Sequence, residues 1–166
     1  MKEPKNANEV VIESIIQSTF DLMKHKSLDD ISITDIVRHA GVSRNSFYRN
    51  FNDKEDIIRR CISKETECWQ EEVHKKYTSM LDSGEFILLL LEHIYDYRDL
   101  IALLMRDKKM YLLEDEFDYR LKIRLESESD PWHIAFIAGG LYKLFLYWAE
   151  TGYQKTPQEI AAYVNF

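Results

Sequence analysis

One glycine constrains this chain more than any other residue. Gly41 separates two short segments, Ser32–Ala40 and Ser43–Phe51, the first amphipathic at helical spacing and the second almost wholly polar. Ile33, Ile36, Val37 and Ala40 recur at i, i+3, i+4 and i+7, which is one buried helix face. Ser32 caps the start of that helix, with Asp35 three residues on as the reciprocal acid of a capping box. A helix C-terminus favours a left-handed residue, a conformation glycine adopts without a steric penalty, so Gly41 reads as the stop. Val42 is apolar, and Ser43 caps a second helix. In it Phe47 and Phe51 lie four apart on one side, while Arg44, Asn45, Ser46, Tyr48, Arg49 and Asn50 cover the rest. A short helix this rich in hydrogen-bonding side chains is built to meet a polar partner. Helix, glycine turn and polar helix form a helix-turn-helix, whose second helix enters the major groove of duplex DNA.

Turn signals are scarce elsewhere. Three prolines and five glycines in 166 residues make all-α the natural fold class. Hydrophobic residues at 45% and aromatics at 13% supply a core and exclude a disordered chain. Val11, Ile12, Ile15, Ile16, Phe20 and Met23 predict a helix ahead of the motif, completing a three-helix domain around Phe20, Ile36, Val37, Phe47 and Phe51. Asn52 with Glu55 predicts another capping box, opening a long helix from Asp53 towards Met80 that Asp82-Ser83-Gly84 ends. Residues 85–128 read as helices broken near Asp96–Asp99 and Asp107–Lys109. Asp130-Pro131 starts a helix that is hydrophobic nearly all round and stops at Gly152, and Pro157 opens a last helix bearing Ile160, Ala161 and Val164. The expected division is a DNA-binding domain over residues 1–53 and a helical effector-binding and dimerisation domain over residues 54–166, joined by the long helix.

A helix apolar on every side must be covered on every side, and a domain this small has too little protein to do so. Gly139-Gly140 admits the close approach of another backbone. A homodimer through Phe136, Gly139, Gly140, Lys143 and Tyr147 follows as an expectation. The competing reading is a single central core helix kinked at the two glycines.

The net charge of −7 divides unevenly: residues 1–60 carry ten Lys/Arg and ten Asp/Glu, residues 61–166 twelve against nineteen. Ser43–Phe51 holds two arginines and no acid. Because screening removes charge beyond about 8–10 Å, that local basic face can contact phosphates while the acidic remainder disfavours non-specific sticking. The first residues lack a signal-peptide core, and the greasiest run, Phe86–Leu91, is far too short to span a bilayer. A cytoplasmic protein with reduced thiols is expected. Cys61, Cys68 and His74, spaced by seven and six, do not converge as metal ligands and read as buried thiols and a bystander. The run Glu114, Asp115, Glu116, Asp118 reads as a solvated face. With no Ser-His-Asp order, phosphate-cradling glycine loop or HExxH, neither an enzyme nor a cofactor is expected.

The run GVSRNSFYRNFNDKEDI resembles the signature of the tetracycline-repressor (TetR) family of bacterial transcription regulators, with Gly41, Val42, Ser43, Phe47, Tyr48, Phe51, Lys54 and Glu55 all matching. Ser32 stands where the family has a capping Thr, and His25–Leu28 replace its glycine loop. The resemblance covers about the first third of the chain. It implies DNA contacts from Ser32, Ser43, Arg44, Asn45, Ser46, Tyr48, Arg49, Asn50 and Lys54, the last as a phosphate ligand. It also implies a homodimer through the last two helices, which adds Ile160 and Val164 to the expected interface, on a palindromic duplex operator, with repression and release by a small-molecule effector. Trp69, Tyr95, Phe117, Trp132 and Tyr142 are the expected effector-pocket residues. The segment FIAGGLYKLFLYWAETGYQKTPQEIA is similar to the branch containing the regulator of dihydroxyacetone-kinase genes, which implies a protein co-regulator as the alternative switch. Outside DNA binding stands a helical interaction protein.

Overall fold

The computed structural model describes residues 6–76, 83–125 and 130–164. Among them are α1 (Ala7–Met23), a 3-10 turn (Leu28–Asp30), α2 (Ile33–Ala40), α3 (Arg44–Asn50), α4 (Lys54–Lys76), α5 (Ser83–Asp96), α6 (Arg98–Arg106), α7 (Tyr111–Leu125), α8 (Pro131–Glu150) and α9 (Pro157–Ala161). The described residues contain no strand, and no helix among them is long and apolar enough to cross a membrane.

Local chemistry sets the ends of the first helices. Asn6 and Glu9 form a capping box on α1, as Ser32 and Asp35 do on α2. Gly41 takes φ +66°, and the Val42 amide reaches back to the Val37 carbonyl at 3.0 Å, closing α2 with a six-residue loop that satisfies an orphan carbonyl. The three helices then close on one another. Ile15, Met23, Ile36, Phe47, Ile57 and Ile58 are wholly removed from solvent. This core does not end at residue 53: Ile57, Ile58 and Ile62 of α4, with Leu104 and Leu112 from α6 and α7, belong to it.

A second core gathers Leu91, Ile94, Ile101, Tyr142, Phe145, Trp148 and Ile160. Trp148 is buried to 1% exposure and donates its indole N–H to the Lys155 carbonyl at 2.8 Å, which ties the α8–α9 loop to α8. The breaks expected after α5 and α6 fall at Tyr97 and at Asp107–Met110.

Several expectations change. The central-core reading of α8 fails, because one side buries Ala138, Tyr142, Phe145 and Trp148 while Trp132, Phe136 and Tyr147 stand 84%, 74% and 63% exposed. Ile160 does not share that open face; it is buried in the second core, where α9 packs on α5. The box at α4 is shifted by one residue: Asp53 Oδ1 accepts the Asp56 amide at 2.7 Å and Asp56 Oδ2 accepts the Asn52 amide at 2.9 Å, which leaves Glu55 free for another role. Ser83 and Gly84 lie in the first turn of α5 rather than ending α4, and the expected stretch of α4 from residue 77 to 80 lies outside the described residues. Cys61 is half-buried, its thiol pushed up to about 11 by desolvation, but Cys68 is exposed. Glu116 departs from the solvated acidic run by pairing with Arg120 at 2.6 Å.

Candidate nucleic-acid interface and its connections

α3 presents its polar side outward because Phe47 and Phe51 face in. Ser43, Arg44, Asn45, Tyr48 and Arg49 are exposed, Tyr48 to 59%, and Ser46 is half-buried. The Tyr48 ring meets Phe47 edge-on at 5.4 Å between centroids, so a buried residue fixes the direction of an exposed one. Ser43 Oγ accepts the Ser46 amide at 3.0 Å and lies 2.9 Å from Ser46 Oγ, occupying both hydroxyls in the cap. Ser32 is similarly engaged, donating to Asp35 Oδ2 at 2.7 Å, and this bond holds the Asp35 carboxyl below its usual value. Arg44 donates to the Thr34 hydroxyl across the turn, and Arg49 reaches Asn8 Oδ1 at 3.5 Å. Thr34, exposed beside Arg44, was not singled out by the sequence pattern; its place two residues after the Ser32 cap puts it on the same outer rim.

Two expected contact residues point elsewhere. Asn50 is 7% exposed: its amide donates to the Ser46 carbonyl at 2.8 Å and its Oδ1 accepts from Asn8 at 3.0 Å, joining α3 to the start of α1. Lys54 directs its ammonium to the carbonyls of Leu28, Asp29 and Ile31 at 2.6, 3.1 and 2.7 Å. An ammonium has three donors, so this lysine is committed to the 3-10 turn and has none left for a phosphate. What remains outward is a compact surface of Arg44, Asn45, Tyr48 and Arg49, with the Thr34 hydroxyl beside Arg44. Arginine suits guanine O6/N7, asparagine suits adenine N6/N7, and hydroxyls suit phosphates.

A family profile described as "Bacterial regulatory proteins, tetR family" matches residues 15–61, from within α1 to the second turn of α4. The N-terminal domain belongs to the TetR family. The uncharacterized HTH-type transcriptional regulator YvdT of Bacillus subtilis is 39% identical over 46 residues, 28% of this chain and 24% of that protein, so the match spans about a quarter of its length. Two solved structures share the fold over nearly the whole chain. Lin0861 from Listeria innocua superposes with TM-score 0.77 at 17% identity, covering 98% of this chain and 92% of its own. The fatty acid degradation regulator FadR from Bacillus halodurans gives 0.59 at 16% identity, covering 98% and 94%.

The TetR-family domain is latched to the second region through the turn between α6 and α7. Asp107, buried, accepts the Leu28 amide at 2.8 Å and the Arg106 guanidinium at 2.7 Å, while Arg106 also donates to the Lys26 carbonyl at 2.9 Å. Burial pushes the Asp107 carboxyl up, but Arg106 and the Leu28 amide outweigh it and hold it below the ordinary value. Lys109 bridges Glu55 at 3.0 Å and Asp29 at 3.1 Å, and Tyr111 donates to Glu55 at 2.6 Å. The Glu55 carboxyl is lowered by Tyr111 and then Lys109, and Lys109 is raised chiefly by Glu55 and then by Asp29. Lys108 adopts φ +57° in this turn, a conformation uncommon for a residue other than glycine, held by the contacts on either side of it. Thus one 3-10 turn receives Lys54 from α4 and Asp107 and Lys109 from the α6–α7 turn.

Above the latch, α4, α5, α6 and α7 enclose a largely apolar cavity of about 80 Å³. Of the expected pocket residues, Trp69 and Phe117 line it. The others do not. Tyr95 stacks on Trp148 at 5.8 Å, Tyr142 packs between Phe117 and Phe145, and Trp132 lies on the open face of α8. Missed by the sequence reading were Glu65, His93 and Arg120, polar residues that helical spacing alone could not assign to an interior.

Proposed function

We propose that this protein is a TetR-type transcription regulator, acting in the cytoplasm as a repressor. It binds a palindromic duplex operator as a homodimer and releases it when a small molecule enters the α4–α7 cavity. The single observation that carries the reading is the outward surface of Arg44, Asn45, Tyr48 and Arg49 on a helix locked by Phe47 and Phe51 in a TetR-family domain. A rigid support of this kind positions side chains against base edges, which a solvated loop would not. The dimer rests on the open stripe of α8. Trp132, Phe136, Gly139, Gly140, Lys143 and Tyr147 are all exposed and recur on one helical side, and so large an apolar surface marks an interaction site. Space beside the glycines is open, with no described atom beyond the adjoining helix backbone within 4 Å of a Cβ built at either.

A ligand shifts DNA affinity only as far as it binds one arrangement of the domains better than another. The cavity touches α4 along Ile62–Gln70, eight residues beyond the clamp at Lys54. Widening the cavity tilts α4 and pulls on the 3-10 turn through Lys54 and the latch, altering the spacing of the two recognition helices. A coupling of about 1–3 kcal/mol lowers occupancy roughly 5- to 150-fold. Selection from a random duplex library by the purified chain tests the reading. An enriched palindrome with half-sites at least one helical turn apart is expected; recovery of no enriched sequence overturns it.

A further inference from the structure

The charges around the cavity select what it can hold. Its one arginine is already consumed: Arg120 donates to Glu116 at 2.6 Å, Glu67 at 2.9 Å, Ser63 at 3.0 Å and Gln70 at 3.3 Å, with its side chain only 14% exposed. A carboxylate ligand entering here finds no free cation among the described lining residues and meets Glu65 and Glu116 instead. Glu65 uses one oxygen to accept the Tyr97 hydroxyl at 2.6 Å, and its second oxygen has no described donor. Beside it runs an aromatic wall. His93 stacks on Trp69 at 4.8 Å and meets Tyr97 at 4.9 Å, and Trp69 touches Phe86 at 5.9 Å. Aromatic faces and a carboxylate with an open oxygen are the elements that recognise organic cations.

We propose that the α4–α7 cavity takes a small lipophilic cation, an amine on an aryl or short alkyl body, with the ammonium against Glu65 and the body over the Trp69–His93–Tyr97 wall. This rests on the reading of the cavity as the effector site and adds the chemical class. Burial lowers the pKa of His93, which keeps the imidazole neutral near pH 7 and adds no positive charge to repel the ligand. The volume of about 80 Å³ is roughly half that of a ~150 Å³ cavity that admits benzene. A ligand of one ring plus an amine therefore has to part α4 from α5 and α7 to enter, and this opening is what links occupancy to the recognition helix.

Phenethylamine, 2-phenylethanol and phenylacetate share a ring and differ in charge, so they separate the class from the cavity. Each is titrated near pH 7 into the full chain, with calorimetry for affinity and chemical shifts of cavity residues for location. Phenethylamine is expected to bind at least about tenfold more tightly than either analogue. Glu65→Gln, which still accepts from Tyr97, is expected to erase that preference while leaving the alcohol's affinity unchanged. Phenylacetate or the alcohol binding as well as the amine, or an unchanged preference in Glu65→Gln, overturns the cation class and leaves the effector site standing. If none of the three binds or moves a cavity resonance, the cation proposal falls, and the DNA-binding reading stands or falls on the duplex selection alone.

Discussion

Two helices of this chain treat their aromatic residues in opposite ways. α3 is short and polar, yet Phe47 and Phe51 are removed from solvent within the chain itself, at 0% and 1% exposure. α8 is long and greasy, yet it leaves Trp132 and Phe136 almost fully in water. The difference lies in how many neighbours each helix has. α3 closes one side of a three-helix arrangement whose core α4, α6 and α7 also share, so its apolar side is satisfied and its outer face is free to be polar. α8 packs on α5, α6 and α7 along one side, while Trp132, Phe136 and Tyr147 on the other stand exposed among the described residues. The first region has its apolar side covered within the chain, and the second leaves an apolar stripe of α8 open.

The adjacent pair Phe47 and Tyr48 gives the sharpest way to break this contrast. Phe47→Ala should cost about 3–5 kcal/mol of stability, the usual penalty for emptying a buried aromatic site, and abolish DNA binding through loss of the fold. Tyr48→Ala should change stability by no more than about 0.5 kcal/mol and still weaken DNA binding. Urea unfolding and a DNA-binding titration on both variants separate the two effects. Equal destabilisation by both would mean that α3 is not organised around a buried side and a free one.

On α8 the reverse applies. Phe136→Glu should weaken the dimer by about 2 kcal/mol or more, roughly thirtyfold in dissociation constant, without loss of helicity. Gly140→Leu should act in the same direction, since a Cβ added there meets no described atom beyond the adjoining helix backbone. Sedimentation across a concentration series reads both. A dimer unaffected by either substitution would place the interface elsewhere.

The latch tests whether the two regions are separate at all. Asp107→Ala strands the buried Leu28 amide and frees Arg106, and should cost about 1–3 kcal/mol. Hydrogen exchange should show the loss concentrated at residues 26–31. Acid should mimic the variant. Asp107 and Glu55 have folded-state pKa values below their ordinary ones. Their contribution is therefore present above the unfolded carboxylate range, about 3.9–4.3, and is lost as pH falls through the lowered values. Lys109 is raised, so its share persists through neutrality and disappears only at strongly alkaline pH. Protection of the Leu28 amide that is the same in Asp107→Ala as in the unaltered chain would contradict the latch.

The smallest effect concerns salt. Arg44→Ala should lower the salt slope of DNA binding by about two for a dimer if the guanidinium lies on a phosphate in each subunit, or relax base preference if it reads a base. Lys54→Met should leave the slope unchanged and loosen the 3-10 turn, because its ammonium is held by three carbonyls. A reduced slope in Lys54→Met would return this lysine to the DNA.

What was legible in the chain was whatever depends on neighbours within a turn or two. The box of Ser32 and Asp35, the left-handed Gly41, the cap at Ser43, the inward pair Phe47 and Phe51, and the start at Asp130-Pro131 are all local, and all are present. Those signals suffice for the all-α class and the helix-turn-helix. Spacing could also tell that α8 has more apolar surface than its own chain would cover. Direction was beyond it wherever a polar side chain had two places to go. Asn50 and Lys54 carry the same donors whether they face DNA or their own backbone, and only the approach of Asn8 and of the 3-10 turn turned them inward. The box at α4 could equally have closed on Glu55, but the arrival of Lys109 and Tyr111 claims that carboxylate and leaves Asp56 to Asn52. Leu28 and Asp107 are 79 residues apart, and Arg120 meets Ser63 and Glu67 across more than fifty. No periodicity links such positions, because their meeting is decided by how α4 crosses α7 and where the α6–α7 turn lands, a matter of packing whole helices rather than of any residue's local preference.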